Sequence, residues 1–195
     1  MEREIIMGGI GGQGVQLATK ILAQALNGSN KHVMHFAAFG GTMRGGNVEC
    51  TVVTGTAPLE APPIIPKAWM TVTMHPQTIE VVRPKTRPGG LYVVNTSLVE
   101  KATAPDGATL VEIPASKLAE EVGNMQGAAM AMLGAAVRAT DLVSLDTLVD
   151  ALKALTPSYR QATIERNVHA FAAGEAYAKD HLQSLANPAW ATAVA

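Results

Sequence analysis

The sequence predicts an α/β protein: an open, mostly parallel sheet with helices on both faces and a helical C-terminal third. Three observations carry this. Short runs rich in β-branched residues alternate with runs of helical period over the first part of the chain. Glycine-rich turns punctuate them. Beyond Ile113 the strand pattern stops and the period becomes helical.

Taken in order, Glu4–Met7 is expected as a first strand that ends in glycines. Val15–Leu26 follows as a helix, with Val15, Ala18, Leu22 and Leu26 on one face and Asn27-Gly28 as its stop. His32–Ala37 reads as a second strand. Val48–Thr54, β-branched at many positions, reads as a third. Trp69–Met74, Leu91–Val94 and Thr109–Ile113 complete the expected sheet, the second of these entered through Pro88-Gly89-Gly90. Helices are then expected at Ser116–Val122, Gly127–Thr140, Leu145–Leu155 and Tyr159–His181, with Ser144 as an N-cap. Residues 127–140 are small and apolar on every side, so that helix is either deeply buried or pressed against another chain. Residues 1–185 are expected to form one α/β domain, and 186–195 a C-terminal tail.

Composition narrows the function. The 195 residues are 48% hydrophobic but only 16% charged, below the roughly 25% of an average soluble domain. This excludes intrinsic disorder and points to surface covered by other subunits. A net charge of −1 without a Lys/Arg block argues against nucleic acid. The single cysteine, Cys50, excludes an internal disulfide and a four-thiolate cluster held by this chain alone. The start, Met1-Glu2-Arg3-Glu4, does not read as a signal peptide, and the apolar run near 127–137 is too short to span a bilayer. A cytoplasmic protein without membrane contact is expected.

The first chemical motif is Gly9-Ile10-Gly11-Gly12-Gln13-Gly14, a GxGxxG between a strand and a helix, which makes the expected sheet Rossmann-like. Glycines permit positive φ angles and let backbone approach a phosphate, and the helix start offers unpaired N–H groups to the anion. Two common uses fit poorly. The second strand ends in Phe36-Ala37-Ala38-Phe39, without the acid that holds a dinucleotide's ribose, and Gly14 is followed by Val15-Gln16 rather than the Lys-Ser/Thr of a P-loop. A turn that merely lets helix and sheet pack closely remains the alternative. The second motif is Gly40-Gly41-Thr42-Met43-Arg44-Gly45-Gly46. Arg44 between glycine pairs is placed to clamp a phosphate or carboxylate, or to pair with a carboxylate of another subunit.

Together these residues resemble the gamma subunit of the 2-oxoacid:acceptor oxidoreductases, the family of pyruvate, 2-oxoglutarate, ketoisovalerate and indolepyruvate ferredoxin oxidoreductases. The resemblance runs to about Gly174. It includes Pro88-Gly89-Gly90 with Asn95-Thr96-Ser97, Gly123-Asn124 with Leu133-Gly134-Ala135, and Asn167 with Ala170, Phe171 and Gly174. Phe39-Gly40-Gly41-Thr42 replaces a Tyr-Gly-x-Glu of many relatives, and Ala129 stands where relatives often have asparagine. These departures suggest a divergent branch and leave open whether the 2-oxoacid is pyruvate, 2-oxoglutarate, branched-chain or aromatic, such as indolepyruvate or an arylglyoxylate.

The resemblance implies a non-catalytic subunit of a complex that oxidatively decarboxylates a 2-oxoacid to its acyl-CoA. Alpha and beta subunits would shape the substrate site and hold thiamine diphosphate, and a delta subunit would hold [4Fe-4S] clusters. Electrons would leave through those subunits to ferredoxin or NAD. By the same resemblance, Gly9, Gly11, Gly12, Gln13 and Gly14 face the phosphates of coenzyme A, with Arg44 and Gly45 nearby. Other candidates read as structural: His75 as a strand-end cap, Asn95-Thr96-Ser97 as a turn, Asn124 and Asn167 as ties between loop and helix, and Cys50 as an inert buried thiol. His35 and Cys50 have no metal-ligand partner at a recognisable spacing. Two other classes stay open: an independent nucleotide-dependent oxidoreductase, and a structural subunit with an empty glycine turn.

Overall fold

The computed structural model describes residues 2–39, 45–60 and 64–185. The expected tail, 186–195, and Arg44 lie outside them. Six strands form one sheet: β1 (Glu2–Ile10), β2 (His32–Phe39), β3 (Asn47–Gly55), β4 (Ala68–Thr73), β5 (Thr86–Asn95) and β6 (Thr109–Ile113). Their spatial order is β2-β3-β1-β4-β5-β6. The β1–β4, β4–β5 and β5–β6 pairs are parallel, whereas β3 is antiparallel to both β1 and β2. The sheet is therefore mostly parallel, with β3 alone running against the rest.

The helices are α1 (Val15–Gly28), α2 (Ile79–Val82), α3 (Ala115–Glu121), α4 (Ala128–Thr140), α5 (Leu145–Leu155) and α6 (Ala162–His181). Both faces of the sheet are covered, but unequally. Alternation along β1 sends Ile5 and Met7 into the main core, which also takes in residues of α1, α3, α4, α5 and α6. Ile6 points the other way, to Ala68 and Val82, and farther along that face Tyr92 and Val94 pack with Val99. Among the described residues, that second face is covered by α2, flanking 3-10 turns and loop.

Residues 127–140 resolve between their two expected fates: every residue of α4 except Arg138 is buried. The packing depends on glycine. A Cβ at Gly134 would collide with the Phe171 carbonyl, and one at Gly174 with the Ala131 carbonyl, so α4 and α6 touch backbone to backbone. Ser144 caps α5 as expected, its hydroxyl accepting from the Thr147 N–H at 3.2 Å.

Three segments differ from expectation: the helix expected from Tyr159 starts only at Ala162, after a 3-10 turn at Ser158–Arg160, and the other two lie in the sheet region. α2, a single turn inside a 3-10 stretch, is too short for periodicity to reveal. β5 begins before Pro88-Gly89-Gly90 rather than after it. Thr86 pairs with Ala68 and regular pairing with β4 resumes only at Leu91, so the proline sits in an irregularity where no ladder bond is required of it. Gly90 is needed there because a Cβ would lie 2.6 Å from the Trp69 carbonyl oxygen.

Candidate functional site at the glycine turn

β1 runs through Gly9, the first glycine of the motif, and delivers the turn to the start of α1. Gly9 is buried, and a Cβ on it would lie 2.6 Å from Gln13 Oε1 and 2.8 Å from a Val15 methyl. Gln13 turns its side chain inward. Its Oε1 accepts from the Ile10 N–H at 2.9 Å and its Nε2 donates to the Met74 carbonyl at 3.4 Å. These two residues shape the turn and tie it to the end of β4. The groups left facing outward belong to Gly12, at φ 102°, and Gly14, at φ 79°. No side chain caps α1, and no acidic residue lies in its first turn. The positive end of a fourteen-residue helix is thus open to an anion.

The second glycine segment meets the first. The Gly11 N–H donates to the Gly46 carbonyl at 2.9 Å, and Ile10 pairs with Asn47 in the antiparallel register. Gly45, at φ 88°, is exposed beside this junction. The structure therefore brings Gly11 and Gly45 together, with Arg44 one residue beyond the described chain. A shallow cleft of about 340 Å³ runs along this flank between the turn and Val48.

The opposite flank holds what sequence reasoning missed. A cleft of about 460 Å³ is lined by Gly12 and Gly14 of the turn, by Arg160, Thr163 and Arg166, and by Asn124 and Gln126. Its lining includes two arginines and no acid. Asn124 Nδ2 donates to the Arg166 carbonyl and to Asn167 Oδ1, both at 3.1 Å, so the expected tie between loop and helix also fixes this wall. Ala129, a site of departure from the family pattern, is fully buried, and its Cβ is 3.6 Å from where a Gly14 Cβ would stand. Nothing in the local sequence around Arg160 and Arg166 announces the cleft, because the fold alone sets them opposite the turn.

The remaining candidates are structural. His75 Nδ1 accepts from the Gln77 N–H at 3.3 Å at the start of a 3-10 turn. Asn95 is buried, donating to the Met74 carbonyl and the Ser116 hydroxyl while accepting from the Ser116 N–H. Ser97 accepts from the Lys117 N–H at 3.1 Å. Burial pushes the Cys50 thiol up, away from the reactive thiolate. Burial, and secondarily Lys20, holds His35 below its ordinary value, and its Nε2 lies 3.0 Å from the Thr19 hydroxyl. Among the described residues no cluster of His, Cys, Asp and Glu could hold a metal ion, and no helix is long and apolar enough to cross a membrane.

The architecture defines an α/β domain whose uncapped helix start opens between two glycine segments and a wall that carries two arginines. Its relatives place it more narrowly. The family model described as pyruvate ferredoxin/flavodoxin oxidoreductase matches residues 4–177. The chain belongs to that family, as a subunit of the gamma type. It is 32% identical to a 2-oxoglutarate synthase subunit KorC of Methanocaldococcus jannaschii over 92% of this chain and 96% of the relative. It is 31% identical to the pyruvate/ketoisovalerate oxidoreductases common subunit gamma of Thermococcus kodakarensis, over 93% and 99%. Among solved structures, the gamma subunit of a keto/oxoacid ferredoxin oxidoreductase from Geobacter sulfurreducens matches with a TM-score of 0.78 at 25% identity, covering 92% of this chain and 98% of that one. A 2-oxoglutarate:ferredoxin oxidoreductase from Magnetococcus marinus, solved with 2-oxoglutarate, coenzyme A and succinyl-CoA bound, shares the fold with a TM-score of 0.84 at 22% identity. There 95% of this chain corresponds to 32% of the longer one.

Proposed function

We propose that this chain is the gamma subunit that holds coenzyme A in a cytoplasmic 2-oxoacid:acceptor oxidoreductase, whose thiamine diphosphate and [4Fe-4S] clusters reside in alpha, beta and delta partners. The observation that carries this reading is the uncapped start of α1, opened by Gly12 and Gly14 onto a cleft lined by cations and no acid. A diphosphate fits such a site: backbone N–H groups and the helix dipole stabilise its charge, and the absent Cβ atoms let it approach. Coenzyme A, when bound, supplies the thiol that takes up the acyl group. Gly11, Gly12, Gly14, Gly45 and Arg44 contact the ligand, while Gly9 and Gln13 hold the turn in shape. Fixing the nucleotide end positions the thiol for attack in the neighbouring subunit's site, a contribution of orientation rather than of covalent chemistry. The single thiol, buried in β3, leaves cluster ligation to other chains.

The relatives above are named for 2-oxoglutarate and for pyruvate and ketoisovalerate, so the substrate is taken as a 2-oxoacid of that class. The aromatic 2-oxoacid left open by the sequence has no counterpart among these named relatives. An independent dinucleotide enzyme is disfavoured by the sheet itself. The strand beside β1 on that side is the antiparallel β3, so the end of β2, where a ribose-binding acid would stand, is displaced by one strand.

Gly12→Asp places a carboxylate where a phosphate is expected, and Arg44→Ala removes the cation that precedes Gly45 in the chain. In the assembled complex each should raise the KM for coenzyme A at least about ten-fold with kcat changed less. An unchanged KM in both would leave the chain a purely structural subunit.

A further inference from the structure

The cleft beside the glycine turn has two sources of positive charge, and the turn accounts for only one. The other is Arg160, at the end of the 3-10 turn Ser158–Arg160, with Arg166 one turn into α6. Neither guanidinium is paired with a carboxylate among the described residues. Arg160 lies over the Tyr159 ring at 5.5 Å, and the Arg166 backbone is pinned by Asn124. These two exposed arginines line the same cleft as the open start of α1, so the cleft offers two positive charges in addition to the helix N-terminus that suits the diphosphate.

We infer that Arg160 and Arg166 bind a second, monoester phosphate of the nucleotide, and so make this site selective for coenzyme A over its 3′-dephospho form. The inference rests on the reading that coenzyme A occupies the turn and adds the residues that discriminate within that ligand class. A phosphate monoester carries about −1.5 to −2 charges at neutral pH. Planar guanidinium forks are suited to it, and a helix start already committed to the diphosphate is not. The division of labour follows: the turn holds what coenzyme A and dephospho-coenzyme A share, and the arginine wall holds what distinguishes them.

The test is made on the intact complex, with binding of coenzyme A and of 3′-dephospho-coenzyme A measured by calorimetry beside their KM values. Wild type is expected to prefer coenzyme A by about ten-fold or more. The double variant R160Q/R166Q should lose most of that preference by weakening coenzyme A and leaving dephospho-coenzyme A nearly unchanged. Gly12→Asp should weaken both ligands together. The charge-retaining R160K/R166K, which keeps the long side chains, should restore part of the preference and shows whether assembly is intact. Undiminished discrimination in R160Q/R166Q, with Gly12→Asp still weakening both ligands, would overturn the inference and leave the glycine-turn reading standing. Wild-type binding of both ligands in Gly12→Asp as well would overturn that reading too.

Discussion

At the scale of single residues, the glycine motif divides into positions that face outward and positions that build the turn. Gln13 belongs to the second group, since its amide satisfies the Ile10 N–H and reaches the Met74 carbonyl. Gln13→Ala leaves that part-buried donor without its acceptor, at a cost of about 1–3 kcal/mol. Thermal unfolding should shift down by about 2–4 °C for each kcal/mol in a chain of this size. The KM for coenzyme A should rise in the same variant, because the turn loses its tie to β4. A variant with wild-type stability would show that Gln13 does not hold the turn. The motif's glycines and their place between strand and helix were legible in the sequence. Which of the six residues face outward was not, because that depends on Met74, Val15 and Gly46 packing around the turn.

At the scale of elements, the α4–α6 contact is the most sharply specified feature. Gly134 and Gly174 were legible as parts of a resemblance, but their reason is spatial: each meets the other helix's backbone. Gly174→Ala should destabilise by about 3 kcal/mol, the upper part of the usual range for forced overpacking. That corresponds to a fall in Tm of about 6–12 °C. Gly28→Ala at the end of α1 is the matched control. It has no neighbour within 4 Å and should be neutral or stabilising by about 0.5 kcal/mol. Equal melting temperatures for the two variants would contradict the close packing described here. The strands of long β-branched runs were readable from pattern, whereas α2 and the early start of β5 were not. A one-turn helix has no period to detect, and Pro88-Gly89-Gly90 reads as a breaker until the sheet irregularity around it is seen.

At the scale of the whole molecule, a low charge fraction and a site open on two flanks describe a subunit more readily than a self-sufficient enzyme. The nearness of the two glycine segments was implied by the family resemblance alone and comes from the β1–β3 pairing, while the arginine wall was not legible, since it is contributed by the far end of the chain. Large apolar side chains near the cleft remain exposed in the isolated chain: Leu17 at 40%, Met125 at 81% and Tyr159 at 79%. Such exposed apolar residues beside the cleft suit a surface covered by another subunit. The most direct measurement is a gentle native purification through a tag on this chain, with co-purifying chains identified and thiamine diphosphate and iron assayed. The account predicts larger partners that carry thiamine diphosphate and iron–sulfur clusters. A lone chain, free of partners and of both cofactors under the same conditions, would contradict it.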